Sequence, residues 1–226
     1  MRMKRRLLAE FLGTFTLIFA GTGAIVIDVA TKGGVSHAGI ALTFGLVVLA
    51  MIYTFGDISG AHLNPAVTTA FALAGRFSWA DVVPYVGAQI VGAFAASGLL
   101  KFLFPEDVRL GATLPAGSVS QSLILEIVLT FILMMVILSV STGAKEKGIT
   151  AGIAIGAVIA LEAMFAGPIC GASMNPVRSL SPAVVSGQMQ HLWVYLVGTT
   201  LGAALAVPVC CAVRGGNCCG ASAADS

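Results

Sequence analysis

One eight-residue pattern, present twice, limits this chain more than any other feature. Ile58-Ser59-Gly60-Ala61-His62-Leu63-Asn64-Pro65 recurs as Ile169-Cys170-Gly171-Ala172-Ser173-Met174-Asn175-Pro176, and from Asn64 to Asn175 the offset is 111 residues. Ile, Gly, Ala, Asn and Pro are held in both copies. A lone Asn-Pro is an ordinary turn or helix start. Two in one register, each inside a strongly apolar half of the chain, mark an internal repeat. Asn is a good N-cap because its side-chain oxygen accepts from the open amides of the first turn. Pro suits the first helical position because it has no N–H to leave unmet. Each copy therefore opens a helix.

Those helices start inside a membrane. Only 10% of the 226 residues are charged and 58% are hydrophobic, with a mean hydropathy of +0.98. Soluble domains carry about 25% charged residues. A spanning helix needs roughly 20 apolar residues, and six such stretches fall at about 7–27, 38–55, 82–104, 123–141, 149–166 and 191–213. A short helix follows each Asn-Pro. Residues 1–226 thus read as a single domain, with half-repeats at about 5–104 and 120–213 and a cysteine-containing tail at 214–226. The net charge of +2 is scattered or sits at membrane edges, which does not suggest nucleic acid.

The first apolar run, after Lys4-Arg5-Arg6, is too long for a signal-peptide core, so it reads as a retained span that starts in the cytoplasm. Arg76, Lys145, Lys147 and Arg214 fall on the same side, while Lys32, Lys101 and Arg109 on the other have Glu106 and Asp107 beside them. This bias predicts an even number of spans with both termini cytoplasmic.

Further positions repeat. Glu10 with Thr14-Phe15 matches Glu126 with Thr130-Phe131, Ala38-Gly39-Ile40-Ala41 matches Ala151-Gly152-Ile153-Ala154, and Tyr85 with Gly92-Ala93 matches Tyr195 with Gly202-Ala203. Since each half has three full spans, the halves enter the bilayer from opposite sides. The predicted fold is an all-α membrane protein of six transmembrane helices and two re-entrant half-helices in an inverted repeat. Non-helical backbone at membrane depth is tolerated only when buried in protein or lining a watery cavity, so the two Asn-Pro loops line something wet. Their helix N-termini each bring roughly half a positive charge to one point, which orients a neutral solute and opposes cations.

The two Asn-Pro boxes, the inverted halves and the paired Glu residues resemble the aquaporin (major intrinsic protein) family across essentially the whole chain. Gly167 to Leu180 and Leu192-Trp193-Val194-Tyr195-Leu196-Val197-Gly198 are similar to its nodulin-type branch and bacterial relatives. The resemblance implies a homotetramer in the cell membrane, without cofactor, passing water and small neutral solutes. It marks Asn64, Pro65, Ala66 and Asn175, Pro176, Val177 as the pore boxes and gives Glu10 and Glu126 the role of bracing the loops through their amides. The selectivity constriction falls at Phe44, Ala163, Ala172 and Arg178. Water-selective members carry His where this chain has Ala163, and a methyl in place of imidazole leaves a wider, less polar gap. Val177 stands where Ala is usual, and Ser179 where glycerol facilitators have Asp, which argues against a dedicated glycerol channel. The nodulin-type branch carries metalloid hydroxides, so arsenous acid is the preferred cargo. The alternatives are a water-selective aquaporin, an inverted-repeat secondary transporter, or a scaffold without significant flux.

Several residues leave readings open. Glu162, beside Ala163, faces either the pore or a helix neighbour. His62 and Cys170 lie inside the loops as candidate vestibule residues, and His37 and His191 read as interfacial. Cys210, Cys211, Cys218 and Cys219 crowd a tail where thiols are expected to stay reduced. They are either candidate soft-metalloid contacts or lipidated and inert. No nucleophile–base pair, phosphate loop or metal box is found, so the chain does not read as an enzyme.

Overall fold

Six helices long and apolar enough to cross a membrane and two half-length ones make up the computed structural model, which describes residues 3–141 and 145–214. In chain order they are α1 (Met3–Ala30), α2 (Ser36–Ser59), α3 (Pro65–Leu73), α4 (Trp79–Leu103), α5 (Val119–Val140), α6 (Lys145–Cys170), α7 (Pro176–Ser186) and α8 (Leu192–Arg214). At 1.5 Å per residue, α3 and α7 are about 14 and 17 Å long, half of a hydrocarbon core roughly 30 Å thick. Several of the long helices overrun the apolar stretches by up to a turn at each end. Helical hydrogen bonding does not stop where hydropathy does, so α1 begins among basic residues and α6 runs through Pro168 to Cys170.

The packing obeys a two-fold relation between halves. α1 packs on α2 and α4 as α5 packs on α6 and α8; α3 crosses to α8 as α7 crosses to α4; α2 and α6 meet each other across the axis. Backbones come close at paired glycines. A Cβ on Gly92 would overlap the Phe11 carbonyl oxygen, and one on Gly202 the Ile127 carbonyl oxygen. At the axis, Gly45 and Gly156 each press on the other's carbonyl. Small residues at helix crossings allow backbones this near, and in lipid such packing supplies much of the association energy. Gly87 is an exception, with open space where a Cβ would lie. Apolar side chains such as Val83, Phe102 and Val213 cover the outside, as suits helices whose remaining face meets lipid.

The inverted repeat extends to backbone conformation. In the first loop Gly60, Ala61 and Leu63 have φ of 88°, 46° and 52°; in the second Gly171, Ala172 and Met174 have 86°, 41° and 55°. Left-handed conformations at non-glycine residues cost of order 1–3 kcal/mol each, and they persist only where surrounding contacts hold them.

Candidate functional site

Those contacts are two buried carboxylates. Glu10 Oε1 accepts from His62 N–H at 2.9 Å and from the Ser59 hydroxyl at 2.7 Å, while Oε2 accepts from Leu63 N–H and the Gln89 amide, both at 2.8 Å. Glu126 takes Ser173 N–H at 2.8 Å and Met174 N–H at 3.0 Å. The halves differ in support. Gln89 has no counterpart in α8, where Thr199 bonds within its own helix to the Tyr195 carbonyl. Gln89 also reaches the Thr68 hydroxyl at 3.0 Å, and Tyr85 donates to the Ser59 carbonyl at 2.9 Å. Gln89 and Thr68 belong to no motif; for Gln89 the available signal is a glutamine in the middle of an apolar span.

With the loops so held, each asparagine caps its own helix and reaches across to the other. Asn64 Oδ1 accepts from Ala66 N–H at 2.9 Å, and Asn175 Oδ1 from Val177 N–H at 3.1 Å. Asn64 Nδ2 donates to the Met174 carbonyl at 2.7 Å, and Asn175 Nδ2 to the Leu63 carbonyl at 2.9 Å. Leu63 and Met174 are both in left-handed conformation, which turns their carbonyls to the opposite asparagine. An amide nitrogen has two hydrogens, which leaves one per asparagine for another acceptor. Pro65, Ala66, Pro176 and Val177 stand behind the lining as helix starts and are largely buried.

Two cavities lie along this axis. One of about 840 Å³ is lined by Asn64, Asn175, His62 and Leu63 and extends to Tyr53, Asp57 and Arg76. The other, about 240 Å³, is lined by His37, Arg109, Thr113, Ala163 and Gly167 among others. Phe44, Ala172 and Arg178 line both and form the wall between them, while Ala163 faces only the smaller. Arg178 is 3% exposed; its Nη1 donates to the Gly111 carbonyl at 2.8 Å, and its guanidinium lies 4.8 Å from the Phe44 ring centroid. A charge at this depth requires partners. Gly111, at φ 70° and tight against Thr22, brings the loop between the halves down to provide one. In the sequence that loop reads as a connector only.

Other residues fall away from the axis. Ser179 lines neither cavity; it is buried behind the second loop, bonded to the Thr113 hydroxyl at 2.7 Å and the Ser173 hydroxyl at 2.6 Å. Its bearing on cargo is therefore through loop support and not contact. Of the two candidate vestibule residues His62 lines the larger cavity, whereas Cys170 is fully buried and bonds the Ala166 carbonyl. Glu162 turns from both cavities: it is 1% exposed, within electrostatic reach of Glu126, and neither oxygen has a hydrogen-bond partner among the described residues. Cys210 and Cys211, at the end of α8, are disulfide-bonded. Sulfur in a disulfide is not a thiolate, which differs from the expectation of reduced thiols at these two positions. Cys218 and Cys219 lie outside the described residues.

Two half-helices joined tip to tip inside six spans, with a cavity on either side of an arginine wall, define the class as a membrane channel. The chain belongs to the major intrinsic protein family, whose model matches residues 1–209. It is therefore an aquaporin-type passive channel for water and small solutes, and not an enzyme. It is 48% identical over 200 residues to aquaporin NIP1-1 of Zea mays, across 88% of this chain and 71% of that one. It is 50% identical over 199 residues to aquaporin NIP1-4 of Oryza sativa subsp. japonica, across 88% and 72%. These relatives are nodulin-type intrinsic proteins. The fold is similar to the X-ray structure of the aquaglyceroporin from Plasmodium falciparum, with TM-score 0.82 and 26% identity over 92% of this chain and 95% of that one.

Proposed function

We propose that this channel passes water and small uncharged polyhydroxy solutes, metalloid hydroxides among them, with arsenous acid the preferred cargo. The observation that carries the reading is the composition of the wall between the cavities. Arg178 supplies fixed charge and donors, Phe44 an apolar face and Ala172 only a methyl group, and Ala163 adds another methyl on the side of the smaller cavity. A site with one charged corner and little bulk opposite suits a neutral molecule with several hydroxyls larger than water. The α3 and α7 N-termini and Arg178 together oppose hydronium and metal cations. The chain acts as a homotetramer with one pore per subunit, in the plasma membrane with both termini cytoplasmic. The basic residues at Lys4, Arg5, Arg6, Arg76 and Arg214 favour that orientation.

The test is stopped-flow light scattering and uptake in proteoliposomes with water, glycerol, boric acid and arsenite. Ala163→His is expected to keep water flux and cut the larger solutes sharply. Equal arsenite uptake by this variant and the parent would remove the constriction from the account. Absence of arsenite and boric acid uptake beside rapid water flux would make the channel water-selective.

A further inference from the structure

Pro168 lies inside α6, and its ring nitrogen carries no hydrogen. The carbonyl four residues earlier, on Met164, is consequently without its usual helical donor. A donor arrives from another helix instead: His37 Nε2, near the start of α2, lies 2.6 Å from the Met164 oxygen. A carbonyl oxygen only accepts, so Nε2 carries the hydrogen in this bond. The ring is also seated against α6 at Gly167, where an added Cβ would come within 3.0 Å of His37 Cε1. Any larger residue at 167 would press on the imidazole.

The place of this bond gives it consequence. α2 and α6 run antiparallel and touch backbone to backbone at Gly45 and Gly156. His37 precedes Gly45 by eight residues, and Met164 follows Gly156 by eight. From that contact, where Ala160 of α6 also lies close against Gly45, each helix runs about 12 Å, at 1.5 Å per residue, to the His37–Met164 bond. The glycine contact acts as a pivot and the His37–Met164 bond as the clamp on the far ends of both arms. Phe44 sits beside the pivot; Ala163 and Gly167 ride on the clamped arm of α6. His37, Phe44, Ala163 and Gly167 all line the smaller cavity.

We propose that His37 is a positioning residue for selectivity: by supplying the donor that Pro168 lacks, it fixes the α2–α6 spacing and hence the size of solute that passes between Phe44 and Ala163. The proposal rests on the assignment of Phe44 and Ala163 to the constriction.

The experiment measures the ratio of glycerol to water permeability in proteoliposomes for His37→Ala, His37→Gln, Pro168→Ala and the double variant His37→Ala/Pro168→Ala. His37→Ala is expected to raise the ratio about fivefold, the scale of one ordinary hydrogen bond read as a rate. His37→Gln, whose amide offers a donor in place of the ring, restores it toward the parent. In the double variant the alanine that replaces Pro168 donates its own backbone N–H to Met164, so the loss of His37 no longer matters and the ratio returns to that of Pro168→Ala. A His37→Ala ratio equal to the parent's, or a double variant as altered as His37→Ala alone, overturns the proposal. Ala163→His serves as the control. Failure of that variant to change the ratio removes the constriction assignment itself, whereas a changed ratio there with no effect at His37 removes only the clamp.

Discussion

Replacing Glu162 by Met should leave the protein as stable as it is or make it more so, although Glu162 is among the most deeply buried charged residues in the chain. Its two carboxyl oxygens have no hydrogen-bond partner among the described residues. An unmet buried polar group costs about 1–3 kcal/mol. Met has similar length and no such requirement, and its slightly greater bulk costs less than about 1.5 kcal/mol in a core that repacks. The net expectation is a change between about zero and 2 kcal/mol in the stabilising direction. Glu126→Met is the contrast. There the Ser173 and Met174 amides both lose their acceptor, which at about 1–3 kcal/mol each destabilises by about 2–6 kcal/mol. For chains of 150–250 residues, 1 kcal/mol moves the melting midpoint by about 2–4 °C. The two variants, unfolded in the same detergent at one heating rate and followed by tryptophan fluorescence, should separate by several degrees, Glu126→Met falling and Glu162→Met holding or rising. Water flux through Glu162→Met should match the parent, since the side chain lines neither cavity. A midpoint for Glu162→Met as low as that of Glu126→Met would refute the reasoning, because it would mean that the carboxylate is satisfied.

Other substitutions test other contacts. Arg178→Ala should let cations leak, raising proton or sodium conductance tenfold or more in voltage-clamped bilayers, since a unit charge at 4 Å is worth about 4 kcal/mol at an effective dielectric of 20; unchanged ion exclusion would assign the barrier to the half-helix tips alone. Gly202→Ala should destabilise by about 1–3 kcal/mol, because its Cβ would overlap the Ile127 carbonyl, while Gly87→Ala, facing open space, should be neutral or gain up to about 1 kcal/mol. Thermal unfolding of the pair, compared side by side, decides it. Arg76→Ala should cost about 1–2 kcal/mol, because Arg76 donates to the Leu138 and Ser141 carbonyls that end α5, and the loss should appear as faster amide exchange in the last turn of that helix.

Features that depend on local chemistry and on repetition were legible in the residues alone. Hydropathy marked the six spans because a bilayer demands a minimum apolar length. The doubled Asn-Pro pattern marked the half-helices because Asn and Pro have specific places at a helix start, and an odd number of spans per half required the inversion. Tertiary structure alone decided what meets what across the chain. The cross-bonding of Asn64 and Asn175 to the carbonyls of Met174 and Leu63 joins residues about 110 apart. Gly111 reaches Arg178 from a loop whose residues carry no motif, and Gln89 supports Glu10 without a matching partner for Glu126. Side-chain direction was equally hidden. Glu162 and Ala163 are neighbours in sequence, yet successive residues on a helix point about 100° apart, so Ala163 faces the smaller cavity and Glu162 turns away from it. Hydropathy and motifs register residue type at a position, whereas these contacts depend on the rotation and crossing of helices, which are set only when their small residues come together.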